Sequence, residues 1–423
     1  MSKNQQLIVF FIPHDKIING GVLSIFSICR ESRRFKDIHG ADVILSVPPG
    51  YKSYVKNDLF ENDEIIYSFD EIVKKTPPDS LLLHVPEYAA NDIYRSLKKH
   101  HLEFLRAIPE LHVNIMNQNI LYMPQPALAA DWFSLTSNVT QTTAHDRYAT
   151  QETADTYDIP THHLSVFNDP GQYIAIPFEQ KKDRIVLSPD VTGKKEKIVA
   201  KLKQKFPAYE FVTIQNMTYE QYKKTIREAK FAVTFGEGFD GYFIEAFFSG
   251  GITFAVYNED FFPDTGFAKF DNLYANYSDM LKRLPGDMER LSHDKRTYDK
   301  IVKQNFDKIT KLYDFSVYLD NLRKFYQGHY TFRPQPGSAE RLIAAMVDHK
   351  ETEIANREHA IREREATIHD RDKIISERDS QIQQDQRAIH ERDVVIEGMV
   401  RSVSWRLTKP LRKLHSTAKK IKR

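Results

Sequence analysis

The sequence predicts an α/β chain of two Rossmann-like domains, followed by a long coiled-coil helix and a basic amphipathic tail. Three observations carry that expectation. Short apolar runs alternate with longer polar or mixed segments in two successive series, the pattern of parallel sheets with crossover helices. Isoleucine recurs every seven residues from Ile354 to Ile396. From Arg401 to the end there are nine basic residues and no acidic one.

The first series opens with a buried strand over 7–12, a polar turn holding Gly20 and Gly21, and a helix from Val22 to about Ser32. Further strands are expected at 41–47, 64–67, 81–85 and 112–116. The second series begins near Arg184 with strands at 185–188, 211–214, 231–235 and 252–257. Helices at about 194–206, 219–229 and 242–249 separate them. Residues 163–182, with Pro170, Gly171 and Pro177, read as the link between the halves. The expected boundaries are 1–165 and 166–325 for the two domains, 326–349 for a connecting helix, 350–400 for the coiled coil and 401–423 for the tail. Ligands of open α/β sheets bind outside the carboxyl ends of the strands, so two such domains imply a cleft between them.

The chain has 60 Lys plus Arg against 58 Asp plus Glu, a near balance that hides an asymmetry. Removing the nine basic residues of the tail leaves residues 1–400 acidic by about seven charges, and the tail points to a polyanion or an anionic membrane. Cys29 is the only cysteine, which excludes an intrachain disulfide and a cysteine-based zinc cluster and fits a reducing, cytoplasmic setting. The first residues lack a cleavage pattern, and no run of 18 apolar residues occurs, so any membrane contact is expected at the surface.

The most informative stretch is FAVTFGEGFDGYFIEAFFSGG, residues 231–251. A strand ending at Phe235 and a glycine-bracketed turn place Glu237 at the strand's carboxyl end, and the following helix carries Glu245. Such acids accept hydrogen bonds from a polyhydroxylated ligand, while the glycines let backbone amides approach its oxygens. This segment resembles the retaining glycosyltransferases of the GT-B architecture, whose signature reads E-G-F-G-x-x-x-x-E-A-x-x-x-G. Glu237, Gly238, Phe239, Glu245, Ala246 and Gly250 match it, and Asp240 stands in place of a glycine.

The resemblance implies that Glu237 contacts the donor sugar, that the amides of Gly238 and Phe239 face it, and that Glu245 holds the nucleotide ribose. It further implies that Gly20 and Gly21 lie against phosphates and that Lys194 meets the diphosphate. The family's arginine five residues before that lysine is Pro189 here, with Lys195 and Arg184 as candidate substitutes. His84 resembles a strand-end histidine, and Asn117 stands where a histidine often lies near the reacting sugar. No metal and no cofactor is expected, because basic side chains and helix amino ends are expected to neutralise the diphosphate. No residue is nominated as a covalent nucleophile.

Each residue also has a plainer reading: helix cap for Glu237, solvated helix face for Glu245, simple turn for Gly20 and Gly21, solvated lysine for Lys194. Two other functions arise from the same letters. Gly236, Gly238 and Gly241 spell G-x-G-x-x-G with Glu259 about 20 residues on, a dinucleotide fingerprint. The missing arginine at Pro189 suits a non-catalytic scaffold that tethers partners through the helix and tail.

The seven-residue spacing predicts a helix with one sustained seam, about 60 Å long at about 1.5 Å per residue. Three residues after the isoleucines stand Arg357, Arg364, Arg371, Arg378, Asp385 and Arg392, a poor two-stranded pattern. Self-association is expected, with the strand number open and a trimer among the choices. In the tail, Val403, Leu407, Leu411, Leu414, Ala418 and Ile421 share one helical face. That face predicts an interfacial helix on anionic lipid, with no nucleic-acid partner expected. The tail also resembles those of bacterial polysaccharide glycosyltransferases. The expected partners are therefore a nucleotide-sugar donor, a lipid-linked glycan acceptor (O-antigen, capsule or cell-wall glycan), the inner face of the cell membrane and further copies of the chain.

Overall fold

The computed structural model describes residues 5–14, 20–57, 60–165 and 167–414. It forms two units, Met1–Met346 and Val347–Arg423. The first unit contains two sheets. The larger sheet holds β1 (Gln6–Phe11), β2 (Asp42–Val47), β3 (Tyr54–Asn57), β4 (Phe60–Ser68), β5 (Ser80–Pro86), β6 (Glu110–Asn117), β7 (Val139–Thr143) and β8 (Thr161–His163) in the order β3-β4-β2-β1-β5-β6-β7-β8. All neighbours pair in parallel except β3 with β4. The smaller sheet holds β9 (Lys182–Leu187), β10 (Glu210–Thr213), β11 (Ala229–Val233), β12 (Ile252–Val256) and β13 (Leu273–Tyr274) in the order β10-β9-β11-β12-β13, entirely parallel. Strand order reverses between β1 and β5 in one sheet and between β9 and β11 in the other. Those are the two positions where crossover connections leave a crevice open at the carboxyl ends.

The expected strands are present, and β3, β7, β8 and β13 join them. β7 reads VTQTT, polar at four of its five positions, yet all five of its residues are buried. Its Gln141 is satisfied by the flanking strands: Asn117 Nδ2 donates to Gln141 Oε1 at 3.0 Å and Gln141 Nε2 to Thr161 Oγ1 at 2.9 Å. A hydrophobic-run criterion misses such a strand because its burial is offset by hydrogen bonds rather than by apolar area.

Helix α1 (Gly20–Ser32) follows β1 and packs Val22, Ile25, Phe26, Ile28 and Cys29 on the first sheet. In the second domain α2 (Lys195–Lys205), α3 (Tyr219–Glu228) and α4 (Gly241–Phe248) follow β9, β10 and β11. α4 is apolar on nearly every face because it is enclosed: Phe243, Ile244, Ala246, Phe247 and Phe248 are all buried.

Two expected boundaries shift. α5 (Phe315–Tyr326), assigned to the second domain, inserts Tyr318, Leu322 and Phe325 into the core of the first sheet beside Ile8, Phe10 and Leu45. Its aromatic face requires a sheet to cover, and the first sheet supplies it. The connecting helix expected over 326–349 is not continuous. Residues 327–337 form a loop stitched to the first domain, where Phe332 and Thr161 exchange backbone bonds of 2.9 and 3.0 Å and the Gln335 amide donates to Asp155 at 2.8 Å. Helix α6 (Ser338–Arg401) begins only after Gly337, whose φ of +89° suits glycine.

Along α6 every seam isoleucine is solvent-exposed, from 53 to 57%. The tail is not one helix. Ser402 accepts from the Trp405 amide at 3.2 Å and starts a short helix, Val403–Leu407. Thr408 interrupts again, so Pro410 sits in the first turn of residues 409–414, where its missing amide costs nothing. Ala418 and Ile421, and the cations from 419 on, lie outside the described residues. No described helix is long and apolar enough to cross a membrane.

Candidate active site

The turn after β11 is built around Gly238. Its φ is +94°, and a Cβ there would lie 2.7 Å from the Val256 carbonyl and 2.9 Å from the Phe262 ring. Only glycine fits, and the turn throws Glu237 toward the first domain while Phe239 goes inward. The Phe239 ring is 5% exposed and packs between Phe262, Phe267 and Tyr313, so the side chain is core and only its backbone can meet a ligand. Asp240 caps α4, accepting from the Phe243 amide at 2.9 Å.

Glu237 is half-buried, and its Oε1 accepts a short hydrogen bond from Asn119 Nδ2 of the first domain. The Asn119 amide in turn donates to Glu87 Oε1 at 2.9 Å. Asn119 and Glu87 lie just beyond β6 and β5, so the carboxyl ends of both sheets meet here. A second tie runs beside it, where Arg147 reaches the Glu259 carbonyl and approaches Asp260 at 3.7 Å. Asp190, in the turn after β9, packs on Gly236: a Cβ on that glycine would stand 2.8 Å from the carboxyl carbon.

Five carboxylates thus gather around the switch point of the second sheet. Burial pushes Glu87, Asp240 and Glu245 each up to about 7. Glu237 is also raised, by burial and then by the charge of Asp190. One oxygen each of Glu87, Asp190 and Glu245 is buried with no hydrogen-bond partner among the described residues. Carboxyls that titrate near neutrality can donate as well as accept, which suits hydroxyl-rich ligands.

Glu245 does not lie on a solvated helix face, the plainer of its two readings. It is 5% exposed and faces the hydroxyls of Tyr173, Tyr219, Tyr222 and Tyr242, with Tyr222 and Tyr173 partly offsetting its burial. Lys194 stands at the amino end of α2, exposed, its Nζ hydrogen-bonded to Ser278 Oγ. Neither proposed substitute for the missing arginine is free. Lys195 Nζ donates to the Ser188 and Asp190 carbonyls at 2.6 and 2.7 Å, tying the turn after β9. Arg184 pairs with Glu210 and Glu228 at the opposite end of the strand. Gly20 and Gly21 form the first turn of α1, with no described atom within 4 Å of where a Cβ of Gly20 would stand.

Two nominated catalytic residues are not in the site. His84 is 1% exposed, stacked on Phe10 at 4.1 Å and bonded through Nδ1 to Asn114 at 3.1 Å in the middle of the sheet. Burial holds it well below the usual imidazole range, so it is a neutral core histidine. Asn117 is buried and turned to Gln141, and the residue that meets Glu237 is Asn119. Asn119, Glu87 and Asp190 were not among the residues expected from the sequence. The signal was their position, one to three residues past a strand end.

A cluster with metal-compatible spacing, Asp70, His100 and His101, lies elsewhere in the first domain. His101 Nδ1 accepts from the Lys98 amide at 3.1 Å, so its Nε2 keeps the proton and donates to Asp70 at 2.8 Å. That arrangement caps a helix and leaves His101 no lone pair for a cation.

No protein-family model and no curated protein matches the chain. Solved structures do. Anabaena Alr3699/HepE in complex with UDP and glucose aligns at 8% identity and a TM-score of 0.49, over 77% of this chain and 100% of that one. The E. coli trehalose-6-phosphate protein bound with UDP-2-fluoro glucose aligns at 9% and 0.48, over 75% and 99%. Accessory secretory protein 1, 2 and 3 of Streptococcus pneumoniae gives 13% and 0.39, over 62% of this chain and 56% of that one.

Proposed function

We propose that the chain transfers a sugar, with retention of configuration, from a nucleoside-diphosphate donor to a lipid-linked bacterial glycan at an anionic membrane surface. The observation that carries the reading is the Asn119–Glu237 bond across the cleft, which joins the carboxyl ends of both sheets beside three orphaned carboxylate oxygens. In this reading Glu237 orients the sugar hydroxyls and Asn119 fixes Glu237. Lys194 and the amino ends of α1 and α2 take up charge on the departing diphosphate. Glu245, screened by tyrosines, meets the ribose if Tyr173 or Tyr242 yields. Trp405, Leu407, Leu411 and Leu414 are 41 to 74% exposed beside Arg406, Lys409, Arg412 and Lys413, which suits contact with anionic lipid. The seven-residue seam of α6 then holds copies together.

The dinucleotide reading is weakened by Asp240, whose carboxylate already occupies the amino end of α4 where a pyrophosphate would sit. The scaffold reading keeps specific support: Pro189 is exposed where a cation is expected, and Asp190 stands beside it. Calorimetry of the full chain with a panel of nucleoside-diphosphate sugars and with NADH separates these. Binding of a sugar nucleotide, and a loss of about 100-fold in turnover in folded Glu237→Gln, are expected. Unchanged turnover in that variant would sink the site assignment, and no binding of any sugar nucleotide would favour the scaffold.

A further inference from the structure

The charges beside the isoleucine seam specify how copies meet. On a helix that follows a seven-residue repeat, positions three and four after each isoleucine fall about 51° to either side of the seam. In α6 the first position carries Arg357, Arg364, Arg371, Arg378 and Arg392, and the second carries Glu358, Glu365, Asp372, Asp379 and Asp393. One flank of the seam is cationic and the other anionic over the same length.

All of these cations but Arg357 lack a partner within their own helix among the described residues, and the spacing explains it. Residues three and four away from Arg364 are Ala360, Ile361, Thr367 and Ile368, and those around Arg371, Arg378 and Arg392 are likewise uncharged. Among the described residues, Arg364, Arg371, Arg378 and Arg392 make no ion pair, whereas Arg357 finds Glu353 at 2.7 Å. The exception in the repeat is informative. Where the cationic flank loses its arginine, at Asp385, the acidic flank loses its acid, at Gln386. The layer that would set acid against acid instead sets Asp385 against an uncharged amide.

Symmetry turns this into an orientation. A rotation axis parallel to the helices brings the cationic flank of one copy against the acidic flank of the next, in a dimer or a trimer alike. A two-fold axis perpendicular to them sets arginine against arginine and acid against acid. We infer that the Val347–Arg401 segment binds further copies of itself in parallel and in register, isoleucine on isoleucine, with one arginine–carboxylate layer between neighbours at each repeat. This rests on the self-association included above and is independent of the transferase chemistry. Parallel order collects the basic tails at one end of the assembly, so several tails can meet one anionic surface together.

Ile361 and Ile389 lie fourteen residues to either side of Ile375, and Cys29 is fully buried, so single cysteines introduced in the full chain report the arrangement. Under mild oxidation Ile361→Cys alone and Ile389→Cys alone should each form disulfide-linked dimers. Cross-links that arise only when the two variants are mixed, or none in either variant alone, would overturn the proposal. Reversing Arg364, Arg371 and Arg378 to glutamate should weaken association about tenfold at low salt. Adding Glu365→Arg, Asp372→Arg and Asp379→Arg to that chain should restore it. Failure of that rescue, with helicity intact, would exclude pairing between the flanks. Sedimentation of the wild-type chain as a monomer would remove self-association itself and leave the sugar-transfer reading standing.

Discussion

Isoleucine tells two stories in this chain. In the first unit Ile185, Ile226 and Ile252 are at most 1% exposed, whereas Ile361, Ile375 and Ile389 of α6 are 53 to 57% exposed. Full burial stabilises a side chain of this size by about 1.5–3 kcal/mol. The first unit therefore supplies its own partners, whereas the seam of α6 leaves its isoleucines exposed, the surface that the proposed self-association would cover. The same contrast holds for charge: Arg184 pairs with two acids of its own chain, while Arg364 finds none among the described residues.

The largest expected effect lies where the chain is its own partner. Phe243 is 0% exposed, and its ring sits about 5 Å from those of Phe247 and Phe262. Phe243→Ala should cost about 3–5 kcal/mol, read by urea unfolding of the full chain. A cost under about 1 kcal/mol would mean that the aromatic core of the second domain is loosely packed, and would erase the contrast with α6.

Next comes a charge that the fold encloses. Burial raises Glu245 from 4.5 to about 7, so the folded state holds a proton that the unfolded chain has released. Its effect on stability is absent below about pH 4.5, grows as pH rises toward 7 and is constant above, a loss of about 3 kcal/mol in all. Glu245→Gln should remove that slope and stabilise the protein at pH 8 relative to wild type, while impairing sugar-nucleotide binding. Parallel stability–pH curves for the two proteins would show that Glu245 is solvated. Smaller again is Gly238→Ala, where positive φ and the Val256 carbonyl predict a loss of about 1–3 kcal/mol with Glu237 displaced.

These residues also mark how far the sequence could be read. The two sheets were legible because their central strands are unbroken apolar runs, and Gly238 because a turn between strand and helix demands it. The cleft contacts were harder. Asn119 and Glu87 act through proximity to Glu237, more than a hundred residues away, and nothing local in QNI or PEY announces it. His84 misled for the converse reason: a histidine late in a strand looks catalytic by analogy, but side chains alternate across a sheet, and this one faces Phe10 and Phe325. The start of α6 was misplaced although Gly328, Pro334, Pro336 and Gly337 break any helix over 327–337, whose backbone is claimed by Thr161 and Asp155.

The smallest expected effect on the first unit is the sharpest test of the contrast. Ile375 contributes nothing to either core of the sheets and is 55% exposed midway along the seam. Ile375→Ser should therefore leave the urea stability of the Met1–Met346 unit within about 0.5 kcal/mol of wild type. In the same protein the sedimentation-derived association constant should fall, because a hydroxyl replaces an apolar contact in every chain at one layer. A loss of more than about 1 kcal/mol in the first unit would show that the seam is covered by its own chain. Equal exposure along seven successive isoleucines argues against that, since a cover within one molecule would shelter some repeats and spare others.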